Sequence, residues 1–183
     1  EAGNFEAQAD ELASTLLSGR DTRKIYLNQL GAEGARGEVV QAFDEGAGLM
    51  SYLGHGGIQL WAQEDIFDTD VLSALSPQSK MPLVLTLNCL NGYFHFPYFD
   101  SLAEALVKSE DMGAIAAFSP TGLSLDAHAH RYHQLLLQEI LSGRNRRLGD
   151  ALLKAQSSYA DSGAFPELLQ IYLLLGDPAT SLR

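Results

Sequence analysis

The sequence predicts an α/β fold built on a mainly parallel sheet with helices on both faces. Two observations carry that expectation. Short, almost continuous apolar runs, Gly48–Leu53, Leu83–Asn88 and Gly113–Phe118, lack the polar alternation of a half-exposed strand. Between them stand stretches whose apolar residues recur at helical spacing, the pattern that produces parallel crossover units. Composition supplies the core: 46% of the 183 residues are apolar and 19% are charged, the balance of a folded domain rather than a disordered chain.

The elements follow in order. Phe5, Ala9, Leu12 and Leu16 form an amphipathic stripe, and Gly19 ends that helix. Lys24–Asn28 is expected as a short strand, and Gly37–Glu45 as a helix carrying Val39, Val40 and Phe43. The strand Gly48–Leu53 runs into Gly54-His55-Gly56-Gly57, and a short helix is expected around Thr69–Leu75. Pro82 opens the strand Leu83–Asn88. Ser101-Leu-Ala-Glu104 is a capping box for a helix ending near Lys108, because each side chain satisfies a free amide at the helix start. Gly113–Phe118 is the fourth strand, and helices with stripes Tyr132/Leu136/Ile140 and Leu148/Leu152/Ala155 finish the chain. The run Leu173–Leu175 with Tyr172 reads as core, since it is far too short to span a bilayer. A parallel α/β unit begins with a strand, whereas this chain begins with a helix. The expectation is therefore the later part of a longer polypeptide, with a helix-first domain as the alternative.

Charge and cysteine content exclude several functions. A formal net charge of −11 provides no general basic face for nucleic acid or anionic lipid. No apolar run reaches the length of a membrane span. One cysteine, Cys89, excludes an internal disulfide and a Cys-rich zinc site. His128, His130 and His133 do not form a helical ligand face, because positions 128 and 130 point about 200° apart; a solvated helix start accounts for them better. Arg144, Arg146 and Arg147 read as a solvated loop. No metal and no cofactor is expected.

Two reactive side chains remain. His55 follows the strand Gly48–Leu53, and Cys89 follows the strand Leu83–Asn88. Reactive groups in open α/β sheets gather at the carboxyl ends of parallel strands, so adjacency would unite these loops across 34 positions of sequence. An imidazole beside a thiol favours the nucleophilic thiolate. Glycines at 54, 56 and 57 permit close approach of a substrate, and the amides of Gly56 and Cys89 would face a developing oxyanion. A buried thiol beside a chance histidine is the competing account. Trp61 reads equally as site wall or core.

The wording of these segments narrows the choice. Tyr52-Leu-Gly-His-Gly-Gly57, Trp61, Asn88-Cys-Leu-Asn-Gly-Tyr-Phe94, Leu102-Ala-Glu-Ala-Leu106 and Leu175-Gly-Asp-Pro178 together resemble the gingipain family of cysteine peptidases. The resemblance implies a three-layer, caspase-like α/β/α sandwich over residues 1–183, with His55 and Cys89 as a catalytic dyad. It also implies an upstream subdomain, absent from this sequence, with which the chain would associate. Peptides or proteins are the implied substrates, and a secreted or envelope location follows from the same likeness. Hydrolysis by an endopeptidase is the leading activity; a transpeptidase or a non-catalytic interaction domain of the same fold are the alternatives.

Asn91 and Gly92 are expected to shape the loop after Cys89. Gly54, Asn88, Thr121, Ser124 and Asp126 are the expected substrate-binding residues. Where gingipains end the segment Ser119–Asp126 with a Trp that helps enclose a basic side chain, this chain has Asp126, which puts a preference for arginine or lysine in doubt. Asp126 also suits the N-cap of the following helix. Relatives often bind calcium, yet no calcium-loop motif stands here and no site is assigned.

Overall fold

The computed structural model describes residues 3–182. Helices α1 (Phe5–Leu16) and α2 (Leu27–Asp44) come first. Strand β1 (Leu49–Leu53) follows, then the two-residue strands β2 (Leu60–Trp61) and β3 (Phe67–Asp68). Helix α3 (Thr69–Ser73), strand β4 (Leu83–Leu87), helix α4 (Leu102–Lys108) and strand β5 (Ala116–Pro120) alternate after it. Helices α5 (Asp126–Leu141), α6 (Leu148–Asp161) and α7 (Leu168–Ile171) precede strand β6 (Tyr172–Gly176). These elements divide into two compact units. One comprises Arg23–Leu123 and Tyr172–Gly176; the other comprises the chain up to Thr22, Ser124–Ile171 and the chain from Asp177.

The first unit holds the sheet, in the order β1-β4-β5-β6. β1, β4 and β5 are mutually parallel, and β6 closes the edge antiparallel to β5. All five residues of β4 are buried, as an interior strand requires. Thr86, the polar member of that strand, donates its hydroxyl to Ser119 Oγ of β5 at 2.9 Å, so a buried hydroxyl pair replaces an unsatisfied one. Val39 and Phe43 of α2 join Trp61, Phe67, Leu72, Val84, Leu102 and Leu106 in one apolar cluster. The capping box forms as expected: Ser101 Oγ accepts from the Glu104 amide at 3.4 Å, and the Glu104 carboxylate accepts from the Ser101 amide at 2.9 Å.

Three expectations for this first unit need correction. Lys24–Asn28 is no strand: residues 24–26 belong to no strand and Leu27 already begins α2. Ile25 and Leu27 bury against the apolar cluster by side-chain packing alone, which the alternation of a short strand mimics. The fourth strand begins at Ala116 rather than Gly113. Gly113 adopts φ +87° and lies so close to α4 that a Cβ there would sit 2.3 Å from the Leu106 carbonyl oxygen; this turn precedes the ladder. Finally, Tyr172–Gly176 is strand β6 and not simply a core run.

The second unit is helical. Gln8 Nε2 of α1 donates to both carboxylate oxygens of Asp126 at 3.0 and 3.1 Å, and the Glu11 carboxylate lies 3.3 Å from His130 Nε2. Asp126 is thus the first residue of α5, and Leu125 occupies the N-cap position expected for it. Tyr132 of α5 packs on Tyr159 of α6 with ring centroids 5.0 Å apart. The histidines are not a solvated helix start. His133 is buried, and desolvation, helped by the nearby His130, pulls its imidazole down to about 3. Among the described residues no helix is long and apolar enough to cross a membrane.

Candidate active site

The site begins with register. β1 and β4 are parallel neighbours in which Leu53 faces Leu87. The Gly54 amide donates to the Leu87 carbonyl at 3.2 Å and so prolongs the ladder by one rung. His55 and Cys89 each stand two residues beyond those paired leucines, so both loops leave the sheet at one level. His55 is exposed and Cys89 is half-buried.

The His55 loop is a small main-chain hairpin. Gly56 faces Trp61 in an antiparallel bridge, and the Gly57 amide donates to the Leu60 carbonyl at 3.0 Å. The His55 carbonyl accepts from the Ala62 amide at 2.9 Å and from Tyr52 Oη at 2.6 Å. Burial pushes the Tyr52 phenol well above its usual range, which keeps it a donor. Its ring stacks on Trp61 at 4.7 Å and 5°, and Trp61 is only 2% exposed, so this tryptophan is core and not a wall of the site. A Cβ on Gly54 would lie 2.4 Å from Tyr52 Oη, so any other residue there would displace the phenol. The Gly56 amide donates to no backbone acceptor among the described residues.

The Cys89 loop is pinned on three sides. Leu90, at φ +65°, donates its amide to the Gly122 carbonyl at 3.2 Å, and the Gly92 amide donates to the Pro120 carbonyl at 2.8 Å. A Cβ on Gly92 would approach the Ser119 carbonyl oxygen to 3.0 Å, so any side chain there would press on the end of β5. The Ala103 amide at the start of α4 donates to the Asn91 carbonyl at 3.0 Å. Two buried amides complete the loop. Asn88 Nδ2 donates to Asn91 Oδ1, and Asn91 Nδ2 donates to the carbonyls of Gly57 and Leu60, the latter at 3.1 Å. Asn91 is thereby a bridge from the cysteine loop to the histidine loop. The two loops approach closely: a Cβ built on Gly56 would lie 3.0 Å from the Cys89 carbonyl oxygen.

A profile of peptidase family C25 matches residues 1–183. The chain belongs to peptidase family C25. Gingipain R2 of Porphyromonas gingivalis is 31% identical over 84 residues, a match covering 46% of this chain and 10% of that protein. Gingipain R1 of the same organism is 31% identical over 84 residues, covering 46% of this chain and 8% of that protein. The crystal structure of the Arg specific cysteine proteinase gingipain R superposes with a TM-score of 0.80 at 19% identity, over 97% of this chain and 42% of that one. A complex of the RgpB pro- and mature domains of Porphyromonas gingivalis superposes at a TM-score of 0.72 and 21% identity, over 79% of this chain and 36% of that one. The fold is therefore the caspase-like α/β fold of the gingipains, and the chain spans about two fifths of the gingipain R structure.

Within this C25 chain the expected site residues separate. Gly54, His55, Gly56, Asn88 and Cys89 stand together at the shared end of β1 and β4. Thr121 follows β5 and neighbours Gly122, whose carbonyl holds Leu90. Asn88 is buried with its amide on Asn91. Ser124 and Asp126 belong to the helical unit, where the Asp126 carboxylate is taken up by Gln8. Tyr52 and the bridging reach of Asn91 were not anticipated as site features. Tyr52 had one available signal, its position three residues before His55 on an outward-leading strand.

Proposed function

We propose that this chain is a cysteine endopeptidase domain in which Cys89 is the nucleophile and His55 the proton carrier. One observation supports it above the others: the two residues lie at equal offsets beyond adjacent parallel strands, in loops tied together by Asn91. In this reading Cys89 passes its thiol proton to His55, and the Sγ thiolate attacks a peptide carbonyl carbon to form a tetrahedral oxyanion, which accepts from the amides of Gly56 and Cys89. The C–N bond then breaks as His55 delivers a proton to the leaving amine. A water molecule, losing a proton to His55, attacks the thioester and releases the acid. Thr121, at the end of β5 beside the cysteine loop, lies along the same proposed substrate path. The proposal assigns Asn88 to holding the loop rather than to touching substrate, because its side chain is buried on Asn91. It includes a secreted or envelope location and an upstream subdomain associated with this chain, both on the strength of the gingipain likeness.

Cys89→Ala is the direct test. The intact chain should cleave members of a fluorogenic peptide library, and the variant should lose at least about 1,000-fold in kcat/KM with an unchanged urea unfolding midpoint. Residual turnover near that of the parent would remove Cys89 from the mechanism. Product analysis with an added amine separates hydrolysis from transpeptidation, since an amide product would replace the acid.

A further inference from the structure

The segment directly after the cysteine loop is unusually aromatic. Five of the seven residues from Tyr93 to Phe99 are Phe or Tyr, and no Asp, Glu, Lys or Arg stands between Cys89 and Asp100. In a chain of net charge −11 this is a conspicuous uncharged stretch. The rings are not stored in the core: Phe94 is 51% exposed, Tyr98 85% and Phe99 41%. They meet neighbouring rings of the same segment instead: Phe99 lies tilted against Phe96 at 4.4 Å, Tyr98 edge-on to Phe96 at 5.6 Å, and Phe94 edge-on to His95 at 5.5 Å. Both ends of the segment are fastened. Asn91 accepts from the Ala103 amide at 3.0 Å, and the Asp100 carbonyl accepts from Gln59 Nε2 at 3.3 Å, giving a compact loop with closed ends.

Exposed aromatics gathered on a segment tied at both ends have the character of a binding surface, because burying their rings is favourable. The tether to Cys89 says what would lie there. The Tyr93 amide bonds to the Leu90 carbonyl at 3.0 Å, a tight turn that keeps Tyr93 Cα within about 11 Å of Cys89 Cα. An extended peptide advances about 3.3 Å per residue, so a substrate held at Cys89 can reach the start of the segment, at Tyr93, within about four residues of its scissile bond. We infer that Phe94, Tyr98 and Phe99 form a substrate-binding strip that takes an aromatic or large aliphatic side chain flanking the bond cut at Cys89. This rests on the proposed peptidase reading and adds a substrate preference to it.

The test separates the two. Two fluorescein-labelled decapeptide pools share randomised central residues, with flanks restricted to Phe, Leu and Tyr in one and to Ser, Thr and Asn in the other. Binding is measured on the full chain carrying Cys89→Ala, so that no peptide is consumed. The apolar-flanked pool should bind about tenfold more tightly, and Tyr98→Ser or Phe94→Ser should each erase most of that difference. Both positions are exposed, and an unchanged urea midpoint certifies that the fold has survived. Equal affinity for the two pools overturns the inference, as does a preference that survives both substitutions. Self-association that Tyr98→Ser abolishes and the apolar pool does not compete overturns it too, by giving the strip to a second copy of the chain. A preference without turnover of either pool by the parent chain would leave the strip standing and remove the peptidase reading.

Discussion

The loop after β1 is closed on itself by main chain, whereas the loop after β4 adds two buried side-chain amides to its main-chain bonds with neighbouring segments. In the first, the Gly57 and Ala62 amides bond to the Leu60 and His55 carbonyls across a tight hairpin. In the second, Asn88 and Asn91 are buried and bonded to each other, and Asn91 reaches out to the first loop. Backbone closure depends mainly on glycine at a few positions and tolerates change elsewhere. Closure by buried amides is vulnerable at single residues, because a lost partner strands a polar group away from water. The histidine is thus carried on a robust frame and the cysteine on a fragile one, and substitutions should rank accordingly.

Asn91→Ala is the largest break. It removes the acceptor of Asn88 Nδ2 and the donor to Gly57 and Leu60 together. The buried Asn88 amide and the half-buried Gly57 carbonyl then lose partners, at up to about 1–3 kcal/mol each, while the Leu60 carbonyl keeps another donor, the Gly57 amide. A fall of about 3 kcal/mol in urea unfolding is expected, with turnover reduced as the loops lose their tie. A change below about 0.5 kcal/mol would sink the claim that this loop depends on its amides.

Gly56→Ala attacks the same contact from the histidine side. The new methyl would stand 2.2 Å from Asn88 Nδ2 and 3.0 Å from the Cys89 carbonyl oxygen, so Asn88 must leave its position. Overpacking of this kind costs about 1–3 kcal/mol. Because the methyl lies where the loops meet, kcat should fall more than stability does. Parental kcat in the Gly56→Ala variant would place the reacting atoms elsewhere.

Much of this arrangement was legible from spacing. β1 and β4 were read to within a residue, since five-residue apolar runs bounded by Gly48 and Pro82 leave little freedom of register. That placed His55 and Cys89 at strand ends. β6 escaped because Tyr172-Leu-Leu-Leu-Gly176 is too short for period to separate strand from helix. The burial of His133 was in fact available: Ala129, Tyr132, His133, Leu136 and Leu137 follow i, i+3, i+4, i+7, i+8, and all five are buried. What no periodicity carries is the reach of Asn91 to Gly57, 34 positions away, because it depends on how two irregular loops meet.

Tyr52→Phe is the smallest effect and the finest test of the contrast. It deletes one donor to the His55 carbonyl while the Ala62 amide, at 2.9 Å, still bonds to that oxygen. The ring and its stack on Trp61 remain, so the stability loss should be about 1 kcal/mol or less. If Tyr52 holds His55 in place, kcat should drop severalfold with KM unchanged, since positioning of a proton carrier matters after substrate is bound. Tyr52→Leu, which also removes the stack, should lower stability by about 2–3 kcal/mol. Equal kcat in parent, Tyr52→Phe and Tyr52→Leu would mean that the main-chain hairpin alone places the histidine. That outcome would make the frame around His55 still more robust than its hydrogen bonds require, and the asymmetry between the loops would rest on Asn88 and Asn91 entirely.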